Sequence, residues 1–483
     1  MPARLSRSIV IALCGSMLTL ASCKSDGAPE SSTVSKVAGD GQQGTAGEPV
    51  AVAPRVRVLR GQDRPVSGAS IQFTVASGGG SVAGGSVRTD AQGEAAVGGW
   101  TLGMQTGENS LEATLTGATG DAAKVVFTAT AGAGPGALLE KADGDAQSAT
   151  VGQAVAKPPR IRLLDRFRNP VGGNAVTFQV TGGNGSLVAP VQATGVDGTA
   201  SPSTWLLGTV SGENSVKATA SGSAITGNPA TFIATGLAAA AATIEMVEGN
   251  GQTGLTMRPV TVRPKVRLRD VFGNGVPGVL IDYVIASGGG TIDGPIGTST
   301  ADGTAAVTGW TLGPSPGANT MSATARATAV SGNPVVFTAT AKALFNALQY
   351  AGTWDGTWSD FTLGTTGTTH LVIAVDDVAH TVSITLSSSG PTLGNPGGAP
   401  QQTKMAAYGD SGLDLHVTAA VYGDVSIRVD GGGSIDGAGT GLQSMGIDCW
   451  EIDGTVTPTQ FIIDWVIYYL DDTEVHGRVV LNR

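Results

Sequence analysis

One interval constrains this chain more than any other feature. Trp100, Trp205 and Trp310 stand 105 residues apart, and the same interval separates Phe73, Phe178 and Tyr283, and again Phe127, Phe232 and Phe337. The register holds without a gap at Pro54, Pro159 and Pro264, at Gly93, Gly198 and Gly303, and at Asn109, Asn214 and Asn319. Solenoid units run to roughly 20–50 residues, so an interval of 105 describes one whole globular domain per copy. Each tryptophan has apolar neighbours at alternate positions, as Val97 and Leu102 do around Trp100. That pattern predicts aromatic residues that plug a core rather than an exposed row that stacks on sugars.

Within a copy the pattern is that of strands. Arg55 to Leu59 alternates polar and apolar, Pro65 to Gly68 makes a turn, and Ile71 to Val75 alternates again. Ser77 to Gly80 breaks the chain, and Thr89 to Gly93 forms a turn with its own side-chain acceptor. Segments at Ala95–Leu102, Asn109–Leu115 and Val125–Ala129 complete about seven strands, with turn signals every 8–12 residues, which is the signature of an immunoglobulin-like sandwich. Composition agrees: 73 glycines and only 14% charged residues suit many short strands joined by tight turns. The expected fold is all-β, with three tandem immunoglobulin-like β-sandwiches followed by a C-terminal antiparallel β-barrel or sandwich. The expected boundaries are 35–133, 139–238, 243–342 and 345–483.

Two resemblances sharpen this reading. Asp270 to Gly278 followed by Ile281-Asp282-Tyr283, and Ala301 to Ala305 followed by Trp310, resemble the signatures of bacterial Ig-like domains of the invasin and intimin kind. The second copy keeps Asp165, Asn169-Pro170-Val171 and Asp197 to Ala200, while the first departs at Gly61 to Arg64, where a turn of different shape is expected. The resemblance implies a sandwich fold and says little about function, because such modules serve as stalks, adhesins and enzyme appendages. At the N-terminus, Arg4 and Arg7 precede an apolar stretch from Ile9 to Leu20, a secretory signal too short to span a membrane. Leu20-Ala21-Ser22-Cys23 is similar to the lipobox of bacterial lipoproteins. That likeness implies a signal over 1–22, cleavage before Cys23, lipid on its sulfur and amine, and a tether over 23–34. Several acyl chains give durable anchoring.

Removal of such a signal takes Cys14 with it and leaves Cys23 and Cys449, so no disulfide framework is available. A net charge of −10 argues against a nucleic-acid partner. The aspartates at turns (Asp90, Asp197 and Asp302, with Asp165 and Asp270) suit turn capping better than calcium, since they are not clustered. The glycine-rich linker Ala131–Gly136 is expected to bend more than the short apolar Ala238–Ala242.

After Lys342 the register stops. Four tryptophans (Trp354, Trp358, Trp450, Trp465) and all four histidines lie beyond it. Strands are expected at 370–375, 381–386, 413–419, 424–429, 454–456, 461–469 and 474–481, a meander that suits a closed barrel or a sandwich. Gly352-Thr353-Trp354 and the late Gly477-Arg478 are loosely similar to lipocalin-type barrels. This implies that Trp354 or Trp358 packs beneath Arg478, with a pocket at the opposite end. His370, His380, His416 and His476 have no metal-ligand spacing. Asp376-Asp377 and Asp471-Asp472 read as hairpin turns, Asp430–Gly437 as a glycine-rich loop, and Cys449 as a buried, inert thiol.

The sequence therefore suggests a non-enzymatic protein with no catalytic residue, metal or cofactor. It would be anchored in the bacterial cell envelope, at the outer membrane or cell surface, through lipid on Cys23. Its repeats would form a stalk that holds the last domain on the order of 100 Å from the membrane. That domain would bind a glycan, a protein or a small apolar ligand. The alternatives are a small-ligand carrier or hydrolase with an unrecognised site, or a purely architectural chain.

Overall fold

The computed structural model describes residues 32–483 except 62, 119, 121–122, 391–401, 420–422 and 441–445. The signal segment, Cys23 and most of the tether therefore lie outside the described residues. Contacts divide the chain into two compact units. One comprises the described part of Met1–Ser148 with Ala154–Leu207 and Glu213–Thr235; the other comprises Ala149–Gln153, Gly208–Gly212 and Gly236–Arg483.

The first copy is a sandwich of two main sheets, with a two-stranded ribbon of Ser81–Ala83 and Gly99–Thr101 beside them, and its opening segment serves both main sheets. Ser32–Ala38 runs antiparallel to Arg55–Arg60, and then Gln42–Thr45 runs parallel to Lys124–Gly132 in the other sheet. Gly39 and Gly41 make the crossing at φ of 86° and 63°, a conformation that L side chains rarely adopt. The strand begins at Ser32, inside the segment read as tether, because Ser32 to Lys36 already pair with Arg60 to Val56. The second sheet runs in the order Gln42–Thr45, Lys124–Gly132, Gly107–Leu115, Ser70–Ser77, Ser86–Arg88. The five-stranded order recurs in the second and third copies, whose other sheet has three strands where the first copy has four. Alternate residues turn inward, so Val56, Val58, Ile71, Phe73, Leu111 and Phe127 share one core. Burial of each such side chain contributes about 1.5–3 kcal/mol.

Trp100, Trp205 and Trp310 have no exposed surface, and neither do Phe127, Phe232 and Phe337, while Phe73, Phe178 and Tyr283 are about as deeply buried. Each tryptophan sits on a three-residue strand, Gly99–Thr101, Thr204–Leu206 or Gly309–Thr311. Their indole Nε1 atoms have no hydrogen-bond partner among the described residues. The rings therefore act through packing, and their polar edge weakens the core instead of anchoring it.

In the first unit the turn after Arg160–Leu164 carries a buried bracket. Asp165 Oδ1 accepts the amides of Phe167 and Asn169, both at 2.8 Å. Its Oδ2 accepts the amide of Gly134 and the side-chain amide of Asn169, both at 2.9 Å. Asn169 in turn donates to the Met104 carbonyl at 2.7 Å and accepts from the Thr106 amide at 3.1 Å. One carboxylate thus turns about four acceptor sites toward N–H donors and ties a linker, a turn and the neighbouring copy's loop together. The Phe167 ring lies on Gly47, where an added Cβ would come within 2.5 Å of it.

Within the second unit the pattern repeats 105 residues on. Asp270 accepts from Phe272, Asn274 and Ala239, and Asn274 bonds the Thr209 carbonyl at 2.8 Å and the Ser211 amide at 2.9 Å. Each linker gives one amide to the equivalent carboxylate, Gly134 to Asp165 and Ala239 to Asp270.

The ends of the array lack the bracket's parts. The positions equivalent to Asp165 and Asn169 in the first copy are Arg60 and Arg64, which pair with each other across a hairpin. The first copy's departure at Gly61 to Arg64 thus replaces the carboxylate–amide pair with two arginines in a hairpin. In the third copy the equivalents of Gly47 and Thr106 are Met257 and Pro316. Proline has no N–H to offer. Leu344, equivalent to Gly134, donates instead to Thr256 Oγ1 at 3.2 Å.

Replacing Asn169 by Ala leaves the Thr106 amide without its acceptor. Its hydrogen exchange is expected to accelerate at least tenfold, while Gly103, whose amide is held by Asn109, exchanges as before. The pH dependence follows from the carboxylate. Burial alone would raise the Asp165 carboxyl, but bonds from Asn169, Gly134 and Phe167 outweigh it and hold it below its ordinary value of 3.8. A carboxyl depressed in the folded state stabilises above its unfolded value and ceases to do so as pH falls through its folded one. Thr106 protection is therefore expected to persist from neutral pH down to about 4 and to collapse only below that, a profile readable by exchange at graded pH.

Candidate ligand-binding site

Ten antiparallel strands build the terminal domain, each paired with the next. They are Gly352–Asp360, Thr365–Asp376, Thr381–Ser388, Gln402–Gly409, Gly412–Ala419, Gly423–Asp430, Ser434–Thr440, Ile447–Val456, Gln460–Tyr469 and Glu474–Asn482. The last closes on the first, with Asp355 opposite Asn482 and Asp360 opposite Gly477. The result is a closed barrel of ten strands, where lipocalin barrels have eight. Of the two expected architectures the barrel is the one formed.

Closure gives every strand an inner and an outer face. Leu371, Ile373, Val382, Ile384, Ile427 and Ile463 line a shared lumen. Asp355, Arg428, Asp436, Glu451 and Asp453 stand exposed on the outside. A membrane-spanning barrel shows the reverse, an apolar outer band around a polar lumen. Besides the opening strand Gly352–Asp360, the sequence did not disclose two others, Gln402–Gly409 and Ser434–Thr440. The second corrects the reading of Asp430–Gly437 as a loop. Asp430 Oδ1 caps a turn through the amides of Gly432 and Ser434, both at 2.9 Å, and the chain then enters the sheet. Gly437 is in that strand because an added Cβ would lie 2.7 Å from the Ser426 carbonyl.

One end of the barrel is plugged. Asn346 caps a single 3₁₀ turn, Ala347–Tyr350, through the Leu348 amide. Phe345, Tyr350, Trp354 and Phe461 interlock there, Trp354 meeting Phe461 edge-on at 4.6 Å. Trp354 Nε1 donates to the Tyr350 carbonyl at 2.9 Å. The arginine over Trp354 is Arg483, 5.6 Å from the ring centroid, which also donates to the Gln349 carbonyl. Arg478, expected in that place, forms a two-point pair with Asp464 at 2.6 and 2.9 Å. Arg478 shares the exposed parity of its strand with Glu474 and His476, which explains the correction.

Above the plug lies a cavity of about 430 Å³, within the roughly 300–1,000 Å³ range of small-molecule sites. Trp358, Trp450 and Trp465 line it together with the aliphatic residues. Two of these rings lie flat on the wall because glycine faces them. Gly367 is directly opposite Trp358 and Gly477 directly opposite Trp465. A Cβ on Gly477 would come within 2.0 Å of the Trp465 ring. Trp358 Nε1 donates to the Ser389 carbonyl at 3.0 Å. Among the described residues the charged side chains on the lining are Asp360 and Lys404. Asp360 is buried, and its Oδ1 accepts the amides of Thr362 and Leu363 at 2.9 and 2.8 Å.

The polar residues singled out in the sequence lie elsewhere. His370 Nδ1 is 2.5 Å from Asp355, His416 is 2.9 Å from Ser426 Oγ, and His476 is 3.0 Å from Glu474, each at an exposed position. Asp376 accepts the amides of Val378 and Ala379 in a hairpin, Asp377 accepts the Tyr408 hydroxyl, and Asp471 accepts from Thr473. Cys449 is half-buried rather than fully buried. Burial and the neighbouring Asp448 and Glu451 push its thiol above the ordinary range, which keeps it protonated. The lumen residues were not identified from sequence. Their signal was the apolar parity of each strand, which becomes one surface only when the sheet closes.

No protein-family profile and no curated protein matches the chain. Among solved structures it is similar to FdeC, an Escherichia coli adhesin, at 20% identity and a TM-score of 0.42, over 64% of this chain and 96% of that one. It is also similar to invasin, a bacterial integrin-binding protein, at 15% and 0.37, over 81% and 82%. A third likeness is to the human desmocollin-1 ectodomain, at 9% and 0.33, over 92% and 97%. None is close enough to transfer a partner or an activity.

Replacing Gly477 by Ala is expected to displace the Trp465 ring and destabilise the barrel by about 1–3 kcal/mol. Near-ultraviolet circular dichroism should show the loss, because Trp465 lies 6.4 Å from Trp450.

Proposed function

We propose that this chain is a non-enzymatic, lipid-anchored protein of the bacterial cell envelope. Its immunoglobulin-like repeats act as a stalk for a C-terminal barrel that binds a small apolar ligand. The observation that carries the reading is the lumen: a closed barrel holding a cavity of about 430 Å³ walled by aliphatic and indole side chains. Filling such a space with apolar matter removes the walls from water and is favourable at roughly 25 cal/mol per Å². Aliphatic walls offer few hydrogen-bond partners to a sugar, so of the three ligand classes the sequence left open the apolar one suits the site best. The array supports a presenting role, since a different domain, the closed barrel, follows the third copy. Anchoring rests on the lipobox-like Leu20-Ala21-Ser22-Cys23.

The neutral fluorescent probe N-phenyl-1-naphthylamine tests the barrel. It is expected to bind the full chain at one site with micromolar affinity, and Ile384→Trp, which fills the lumen, should weaken it at least tenfold. Binding unaffected by that substitution would sink the lumen reading. Anchoring is tested separately: Cys23→Ser should move the protein from the membrane fraction to the soluble one.

A further inference from the structure

The strand Gln402–Gly409 is inside out over its first half, while Ala406 and Tyr408 pack onto the barrel core. Its lumen-facing residues are Gln402, Lys404, Ala406 and Tyr408, and its outward side chains include Met405, which is 71% exposed. Among the described residues of the other nine strands, the apolar parity faces the lumen. A shift of one residue would exchange the two faces, placing Met405 inside and Lys404 in water. The pairing that forms does not do this. Lys404 stands opposite Ile384, and Thr403 stands opposite Thr385 with their hydroxyls 2.9 Å apart on the outer face. Both Ile384 and Lys404 line the cavity.

Lys404 is half-buried on this apolar lining, and an ammonium beside apolar walls is favoured by a partner that pairs with it. Among the described residues Lys404 makes no ion pair or hydrogen bond. Asp360, the other charged residue on the lining, has Oδ1 committed to two backbone amides. Thr369, Ser388 and Gln402 add neutral polar atoms to the same lining. From the inverted strand and the unpaired ammonium we infer that the ligand is an anionic amphiphile, an apolar body carrying one acidic head group that pairs with Lys404. This rests on the apolar-ligand reading of the lumen and adds the charge of its head. Lys404 is then a binding residue: the walls contribute affinity for the body, and the ammonium selects ligands with a negative head over neutral ones of the same shape.

The test uses the full chain carrying Cys23→Ser, so that no detergent competes for the lumen. Two probes share a ring system and differ by one charge: N-phenyl-1-naphthylamine is neutral, and 1-anilinonaphthalene-8-sulfonate carries a sulfonate. Lys404→Met is expected to weaken the sulfonate by roughly ten- to a hundredfold and to leave the neutral probe within twofold. Lys404→Arg should restore most of the sulfonate affinity. Dodecanoate and dodecyl phosphate should displace the sulfonate better than dodecanol. Preference between the two acids separates a fatty-acid source from a phospholipid one. Sulfonate binding unchanged in Lys404→Met, both probes weakened equally, or dodecanol competing as well as the acids would overturn the inference while leaving the lumen as an apolar site. Neither probe binding the parent chain would overturn both.

Discussion

The terminal domain depends on pairing between its first and last strands. When Gly352–Asp360 meets Glu474–Asn482, the first and last strands cover each other's edges, and the inner faces of ten strands become one surface. Most features of the candidate site follow from that closure. The apolar parity of each strand, which alone would need another layer to cover it, finds its cover across the lumen. Where two indoles are too wide for the wall, glycine stands opposite. The plugged end needs a segment from outside the sheet, and the chain supplies it as a 3₁₀ turn just before the first strand, locked by the C-terminal Arg483.

Closure also makes one strand anomalous. In an open sheet, Lys404 inside and Met405 outside would be a matter of which face was buried. In a closed barrel the pairing with Ile384 and Thr385 leaves no choice. Natural sequences depart from local consistency chiefly at functional sites, and this departure places the charge where a bound amphiphile would need it.

The array obeys a different logic. Each copy buries its own aromatic residues, and within each unit a few buried polar groups tie a turn to a loop of the preceding copy. A carboxylate that accepts four N–H bonds is directional, and it fails if a donor is missing. The copies are therefore not equivalent despite their shared register. The first lacks the acceptor, the third lacks the donor, and the middle copy has both.

The 105-residue interval determined the number of sandwiches, because aromatic and turn residues in one gapless register demand the same fold three times, and the alternation within a copy determined the all-β class. The turn aspartates were legible as caps, since an Asp two residues before an amide bonds it in any context. Their second role was not: that Asn169 reaches Met104 and Thr106 depends on which loop lies beside the turn, a contact of more than sixty residues in separation. In the barrel the sequence disclosed most strands but not the lumen. The period of two assigns each side chain to one of two faces without saying which is inside, and only closure decides that. Lys404 shows this most clearly. By composition its strand presents a charge outward and a methionine inward, and the tertiary register, fixed by its neighbours' pairing, makes it the opposite.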